Sequence, residues 1–71
     1  MKDKKEKILL FYKTKTYAYL RLDNGRFYNG YVKETSEDDF IFIDDVLGDV
    51  PVMFSELHIV DTSNKPRKVI N

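Results

Sequence analysis

The stretch Leu20-Arg-Leu-Asp-Asn-Gly-Arg-Phe-Tyr-Asn-Gly-Tyr-Val32 holds the clearest structural signal in this chain. Apolar and polar side chains alternate on both sides of Asn24-Gly25, which is the pattern of two half-buried strands. Asn-Gly favours a two-residue type I′ turn, because that turn needs a positive φ at both central positions. A second glycine, Gly30, lies inside the second strand and indicates a bend or a close approach of another backbone. The stretch predicts a β-hairpin.

Further elements follow on both sides of the hairpin. The segment Lys2–Lys15 has good helix formers, apolar residues at helical spacings and no Gly or Pro, which predicts an N-terminal helix, although its five consecutive apolar residues equally fit a strand. Pro51 favours an edge position or the start of a strand, because proline has no N–H for a ladder. The predicted strands are Thr16–Asp23, Arg26–Glu34, Phe40–Ile43, Val50–Phe54 and His58–Val60.

Five short antiparallel strands after a helix predict a mainly β fold, namely a small SH3-like barrel, since closure removes open sheet edges. A chain of 71 residues holds one domain at most. We assign residues 1–61 to this domain and residues 62–71, which include Pro66, to a flexible basic C-terminal tail.

Composition excludes several classes of function. The chain has no cysteine and one histidine, His58, so disulfides and cysteine-based or histidine-rich metal sites are excluded. The aspartate pairs at 38–39 and 44–45 invite a metal site, but neighbouring strand residues point to opposite faces, and solvated turns explain them better. No glycine-rich phosphate loop is present, and no nucleophile is evident beside His58. We therefore expect no enzymatic activity, no cofactor and no bound metal.

Cellular location follows from what the sequence lacks. No apolar run approaches the ~20 residues of a membrane span, and no signal peptide begins the chain. We expect a cytoplasmic protein without membrane contact.

The charges cancel overall but are strongly segregated. Residues 1–16 carry a net charge of +4, residues 17–33 carry +2, residues 34–61 carry −9 and residues 62–71 carry +3. A chain that is basic at both ends and acidic in the middle suits either a polyanion bound by the ends or self-association. The same charges are also typical of a merely solvated surface.

The hairpin resembles the first conserved motif of the Sm-like (Lsm and Hfq) proteins. In that motif a strand ends at a glycine turn and a second glycine five residues later bends the next strand, as Gly25 and Gly30 do here. The helix followed by five bent strands is also similar, and the resemblance covers residues 7–61. It implies non-catalytic RNA binding or RNA chaperoning by a homo-oligomeric ring of six or seven subunits. In such rings, strand four of one subunit pairs with strand five of the next.

The resemblance also suggests contact residues. Hfq-like members carry Asp-Gln-Phe after strand two, with the ring stacked on a base, and Asp38-Asp39-Phe40 looks similar with an aspartate in place of the amide. It implies that Asp39 and Phe40 touch RNA, although Phe40 equally fits the core. The family's second conserved motif, which lies before the last strand, is not matched here. Phe54-Ser55 stand where Hfq has Lys-His.

Independently of the resemblance, cationic side chains at both ends of the chain are the best phosphate ligands that the sequence offers. These residues are Lys4, Lys5, Lys7, Lys65, Arg67 and Lys68. Because the acidic middle repels phosphate, we expect RNA to contact them more than the Asp39–Phe40 pair. The alternative is an SH3-like protein-interaction or structural module whose acidic surface binds a basic partner without RNA.

Overall fold

The computed structural model describes residues 3–63. An N-terminal helix is followed by five strands, and a single turn of 3₁₀ helix, Phe54–Glu56, precedes the last of them. The elements are α1 (Lys4–Thr14), β1 (Ala18–Leu22), β2 (Phe27–Thr35), β3 (Asp39–Asp44), β4 (Gly48–Met53) and β5 (Leu57–Thr62). The predicted helix and all five predicted strands are confirmed, with ends shifted by up to two residues.

All five strands belong to one antiparallel sheet with the order β4-β3-β2-β1-β5. The mainly β fold with an N-terminal helix is therefore confirmed. Within residues 3–63 no ladder joins β4 to β5, so the strand pairing leaves the sheet open at these two edges rather than closed. Pro51 lies on the edge strand β4, as its missing N–H predicts.

Helix α1 begins where Asp3 caps it, with the carboxylate accepting a hydrogen bond from the Glu6 amide at 2.9 Å. The helix packs against β2 and β5, and its Ile8 and Phe11 are buried among the residues of the sheet's inner face. The core cluster consists of Ile8, Phe11, Ala18, Leu20, Leu22, Tyr28, Val32, Phe40, Phe42, Val52, Leu57 and Val60.

The hairpin turn differs from the sequence prediction. The Gly25 amide donates to the Leu22 carbonyl at 2.9 Å, and φ is positive at Gly25 but not at Asn24. A turn with this hydrogen bond and a left-handed glycine at its last position is typical of a hairpin with a three-residue loop. The predicted type I′ turn is therefore wrong. Asn24 instead accepts a hydrogen bond from the Arg26 amide with its side chain, at 2.9 Å.

Two bulges interrupt the alternation of side chains. The β2–β3 register shifts between Val32 and Glu34, so Lys33 is the extra residue and the exposed Glu34 does not continue the buried face of Tyr28, Gly30 and Val32. The β1–β5 register shifts between Arg21 and Leu22, which leaves His58 as the extra residue. Bulges increase the local twist and bend a strand.

Within residues 3–63, no helix is long and apolar enough to cross a membrane.

Candidate functional site

Of the three predicted phosphate ligands in α1, two are held by the chain's own backbone. Lys5 Nζ donates to the Glu37 carbonyl at 2.7 Å and lies 5.2 Å from the centre of the Phe54 ring. Lys7 Nζ donates to the Val60 carbonyl at 3.2 Å. Both side chains are half-buried, whereas Lys4 is exposed. Lys5 and Lys7 therefore fasten the helix to the sheet, and Lys4 remains the accessible lysine of the three.

Phe40 lies in the core. Its side chain is 1% exposed, and its ring packs 5.1 Å from the Phe54 ring and 6.5 Å from the Phe42 ring, measured between ring centres. A base can stack only on a ring that it can reach, so Phe40 takes the core position that the sequence left open. Asp39 is exposed, and its carbonyl accepts a hydrogen bond from the Ser36 amide at 2.8 Å, which closes the β2–β3 turn.

The other predicted phosphate ligands, Lys65, Arg67 and Lys68, lie outside the described residues. The predicted tail as a whole is described only for its first two residues, of which Thr62 ends β5.

The outer edge of β4 is poor in hydrogen-bond donors near its C-terminal end. The Phe54 amide donates to the Asp38 carbonyl at 3.0 Å, so the alternation of an antiparallel ladder directs the backbone groups of Pro51 and Met53 away from β3. Pro51 has no N–H, and the Met53 amide donates to Glu56 Oε1 at 3.1 Å. This part of the edge therefore presents carbonyl acceptors.

The outer edge of β5 has the opposite character. The Ser63 amide donates to the Tyr17 carbonyl at 3.1 Å, which directs the backbone groups of Val60 away from β1. The Val60 carbonyl already accepts from Lys7 Nζ. The Val60 N–H is therefore an outward-facing donor, whereas the outward-facing Val60 carbonyl already has a hydrogen-bond partner.

An open apolar groove of about 550 Å³ lies beside the β3–β4 turn. Phe27, Val46 and Leu47 line it with exposed fractions of 61%, 88% and 64%. Asp44 and Asp45 also line the groove. Large exposed apolar side chains next to acidic groups are typical of a protein-contact surface.

The two adjacent aspartates of this groove accept hydrogen bonds from different partners. Asp44 is buried, and burial alone would raise its pKa. However, backbone N–H groups of Leu47, Val46 and Asn29 donate to its carboxylate at 2.9–3.0 Å and hold the pKa below its usual value. Asp44 thus orders the β3–β4 turn.

Asp45 accepts a hydrogen bond from the Tyr17 hydroxyl. That bond, together with burial and the nearby negative charge, raises the pKa of Tyr17 to about 12. The side chain of Tyr17 also packs edge-on against Tyr31, with ring centres 5.3 Å apart. Asp44 and Asp45 thus accept hydrogen bonds from different groups, Asp44 from backbone amides and Asp45 from a side-chain hydroxyl.

His58 faces Asp23, with Nδ1 3.7 Å from Oδ1, and both side chains are mostly exposed. No group of three or more His, Asp or Glu side chains among residues 3–63 is arranged to hold a metal ion.

Several of the contacts described above were not predicted from the sequence. The pairing of Lys7 with Val60 and of Tyr17 with Asp45 joins residues far apart in the chain, and no local pattern marks such pairs. The Met53–Glu56 contact did carry a local signal, because a Glu three residues after a helix cap commonly accepts from the cap's amide. A search of protein-family models and of curated proteins finds no match to this chain.

Proposed function

We propose that this protein is an Sm-like small-barrel subunit that assembles into a homo-oligomeric ring and binds RNA without catalysis. The strand order carries the proposal, because β4 and β5 are the two edges of the open sheet. Pairing β4 of one copy with β5 of the next would satisfy both edges.

The hydrogen-bonding groups of the edges favour a contact between unlike edges. Two β4 edges brought together around Pro51 would oppose acceptors with acceptors. Two β5 edges brought together around Val60 would each need the Val60 carbonyl as an acceptor, but that carbonyl already accepts a hydrogen bond from Lys7. A β4 edge against a β5 edge matches acceptor with donor. Contacts between unlike surfaces generate rings when the rotation closes, and we propose six or seven subunits.

Assembly is tested by light scattering at tens of micromolar protein. Ile59 in β5 is 39% exposed, and we expect Ile59→Glu to reduce the measured mass to that of the monomer. Val46→Glu is the matched control, because Val46 is 88% exposed and lies in the β3–β4 turn rather than in β4 or β5. A wild-type protein that is a monodisperse monomer would contradict the ring. Val52 is unsuitable for this test, because it is 1% exposed and a charge there would disrupt the core.

For RNA, we propose that cations near the chain ends contact phosphates, namely the exposed Lys4 and, outside the described residues, Lys65, Arg67 and Lys68. A ring would repeat Lys4 once per subunit on the same face. The buried ring of Phe40 and the net charge of −9 across residues 34–61 argue against the Asp39–Phe40 pair as the main contact.

The test measures oligo(U) and oligo(A) binding at two salt concentrations. In the variant with alanine at 4, 65, 67 and 68, we expect weaker binding and a salt slope lower by roughly 0.7 for each phosphate that the variant no longer neutralises. Lys33→Ala is the control, because Lys33 already pairs with Asp49 at 2.8 Å. Lys5 and Lys7 stay intact, since their substitution would also loosen the helix. Unchanged affinity and slope in the fourfold variant would contradict this assignment.

One observation favours the second candidate, a protein-interaction module without RNA binding. The groove of Phe27, Val46 and Leu47 is also lined by Asp44 and Asp45 and suits a basic, partly apolar peptide. A titration monitored by amide NMR shifts separates the candidates. A lysine-rich apolar peptide should shift groove residues under the second candidate, whereas RNA should shift residues around Lys4 under the first.

A further inference from the structure

We infer that ring contacts use one strand register, in which Val60 of one copy lies opposite Pro51 of the next, and that Lys7 supplies the hydrogen bond that Pro51 cannot. This inference rests on the proposed ring and names the contact that forms it. It follows from counting the backbone donors and acceptors at the two edges.

In an antiparallel ladder, a hydrogen-bonded pair of residues exchanges two N–H···O=C bonds. Between Val60 and Pro51 one of these is available, from the Val60 N–H to the Pro51 carbonyl. The return bond is missing, because Pro51 has no N–H. The Val60 carbonyl that would lack a donor is the one that accepts from Lys7 Nζ at 3.2 Å. The pair is therefore fully satisfied.

In neighbouring registers the backbone groups at Pro51 are less well satisfied. Opposite Thr62, the Pro51 carbonyl would meet an amide that already donates to Asp61 Oδ1 at 2.8 Å. The Thr62 carbonyl would then face the proline without a donor. Opposite His58, Pro51 would meet the extra residue of the β1–β5 bulge. An unsatisfied buried carbonyl is costly, so Val60 is the preferred partner.

Side-chain direction agrees with this register. Val60 points into its own core and is 5% exposed, whereas Pro51 is exposed on the outer face of β4. Directly paired strand residues point to the same side of the shared sheet. The pairing therefore places the two cores on opposite faces of that sheet.

The test uses four variants of the full chain, with the concentration for half-dissociation measured by analytical ultracentrifugation. Lys7→Met keeps the aliphatic stem but leaves the Val60 carbonyl without a donor. We expect its dissociation constant per contact to rise about tenfold. Lys13→Met makes the same charge change at an exposed position of the same helix and should leave assembly unchanged.

The decisive variant is Lys7→Met combined with Pro51→Val. Valine restores an N–H opposite the Val60 carbonyl, so we expect the double variant to assemble nearly as tightly as the wild type. Pro51→Val alone should differ little from the wild type, because Lys7 already satisfies that carbonyl. Thermal unfolding of each variant reports separately on the docking of the helix.

The outcomes separate the inference from the ring. If the wild type assembles and Lys7→Met assembles equally well or better, the register is wrong and the ring stands. If Lys7→Met is weakened but Pro51→Val does not rescue it, Lys7 acts through the helix and the register is again wrong. If the wild type and every variant stay monomeric, the ring itself is overturned, and the register with it.

Discussion

The carbonyl oxygen of Ile43 occupies the space that a side chain on Gly30 would need. A Cβ atom at Gly30 would lie 1.7 Å from that oxygen, far inside any tolerable contact. The oxygen belongs to the neighbouring strand β3, so only a movement of the β2–β3 ladder could relieve the clash. The second glycine of the hairpin is therefore required by packing between two backbones.

We expect Gly30→Ala to lower the free energy of unfolding by about 3 kcal/mol, because it overpacks a rigid backbone contact. Urea denaturation followed by circular dichroism measures this change. Gly25→Ala is the comparison, since space is open there but φ is +90°. Its cost should be about 1 kcal/mol from backbone strain alone. Equal costs at the two positions would contradict the packing argument.

Truncation of Phe40 should affect stability before it affects any ligand. Phe40→Ala leaves a cavity between Phe42 and Phe54, and we expect a loss of about 3–5 kcal/mol in the free energy of unfolding. Phe40→Leu fills most of that space and should cost about 1 kcal/mol while RNA affinity is retained. A well-folded Phe40→Leu protein that no longer binds RNA would restore Phe40 as a stacking residue.

The carboxylate of Asp44 should make stability depend on pH in acid. Its pKa is lower in the folded chain than its usual value of 3.8, because three backbone N–H groups donate to it. The unfolded chain therefore binds the proton more tightly, and the stabilisation is present above about pH 4 and lost as the pH falls through the folded-state pKa.

We expect Asp44→Asn to cost about 2 kcal/mol at pH 7, because the amide cannot accept all three bonds. The difference from the wild type should shrink when urea unfolding is repeated between pH 4 and pH 2.5. Asp38→Asn changes the same charge at an exposed position and serves as the control. A difference that stays constant with pH would contradict the role of the ionised carboxylate.

The end of helix α1 offers a stabilising substitution. Lys15 adopts the left-handed conformation, with φ at 56°, and its N–H donates to the Phe11 carbonyl. Glycine adopts this conformation without steric cost, so we expect Lys15→Gly to raise the free energy of unfolding by about 1 kcal/mol. Lys13→Gly, inside the helix, should lower it by about the same amount. Thermal unfolding distinguishes the two, and destabilisation by Lys15→Gly would show that its side chain contributes more than its backbone costs.

Local patterns in the sequence were sufficient for the elements and for much of the core. The alternation before Asn24-Gly25 predicted a half-buried strand, and Leu20 and Leu22 are buried there. The missing N–H of Pro51 placed its strand at an edge of the sheet. These features depend on the pleat of one strand or on the chemistry of one residue, so a single segment contains the information.

Contacts between distant segments were decided only by the tertiary structure. Lys7 and Val60 are 53 positions apart, and their hydrogen bond exists because the helix packs beside the last strand. With the helix packed in this way, Lys5 donates a hydrogen bond to the Glu37 carbonyl. The sequence alone had predicted both lysines to be accessible phosphate ligands. The burial of Phe40 also depends on the register of β3 against β4 and on the ring of Phe54. Register and packing arise from many segments at once, so which charged or aromatic side chains remain accessible could not be read from any one of them.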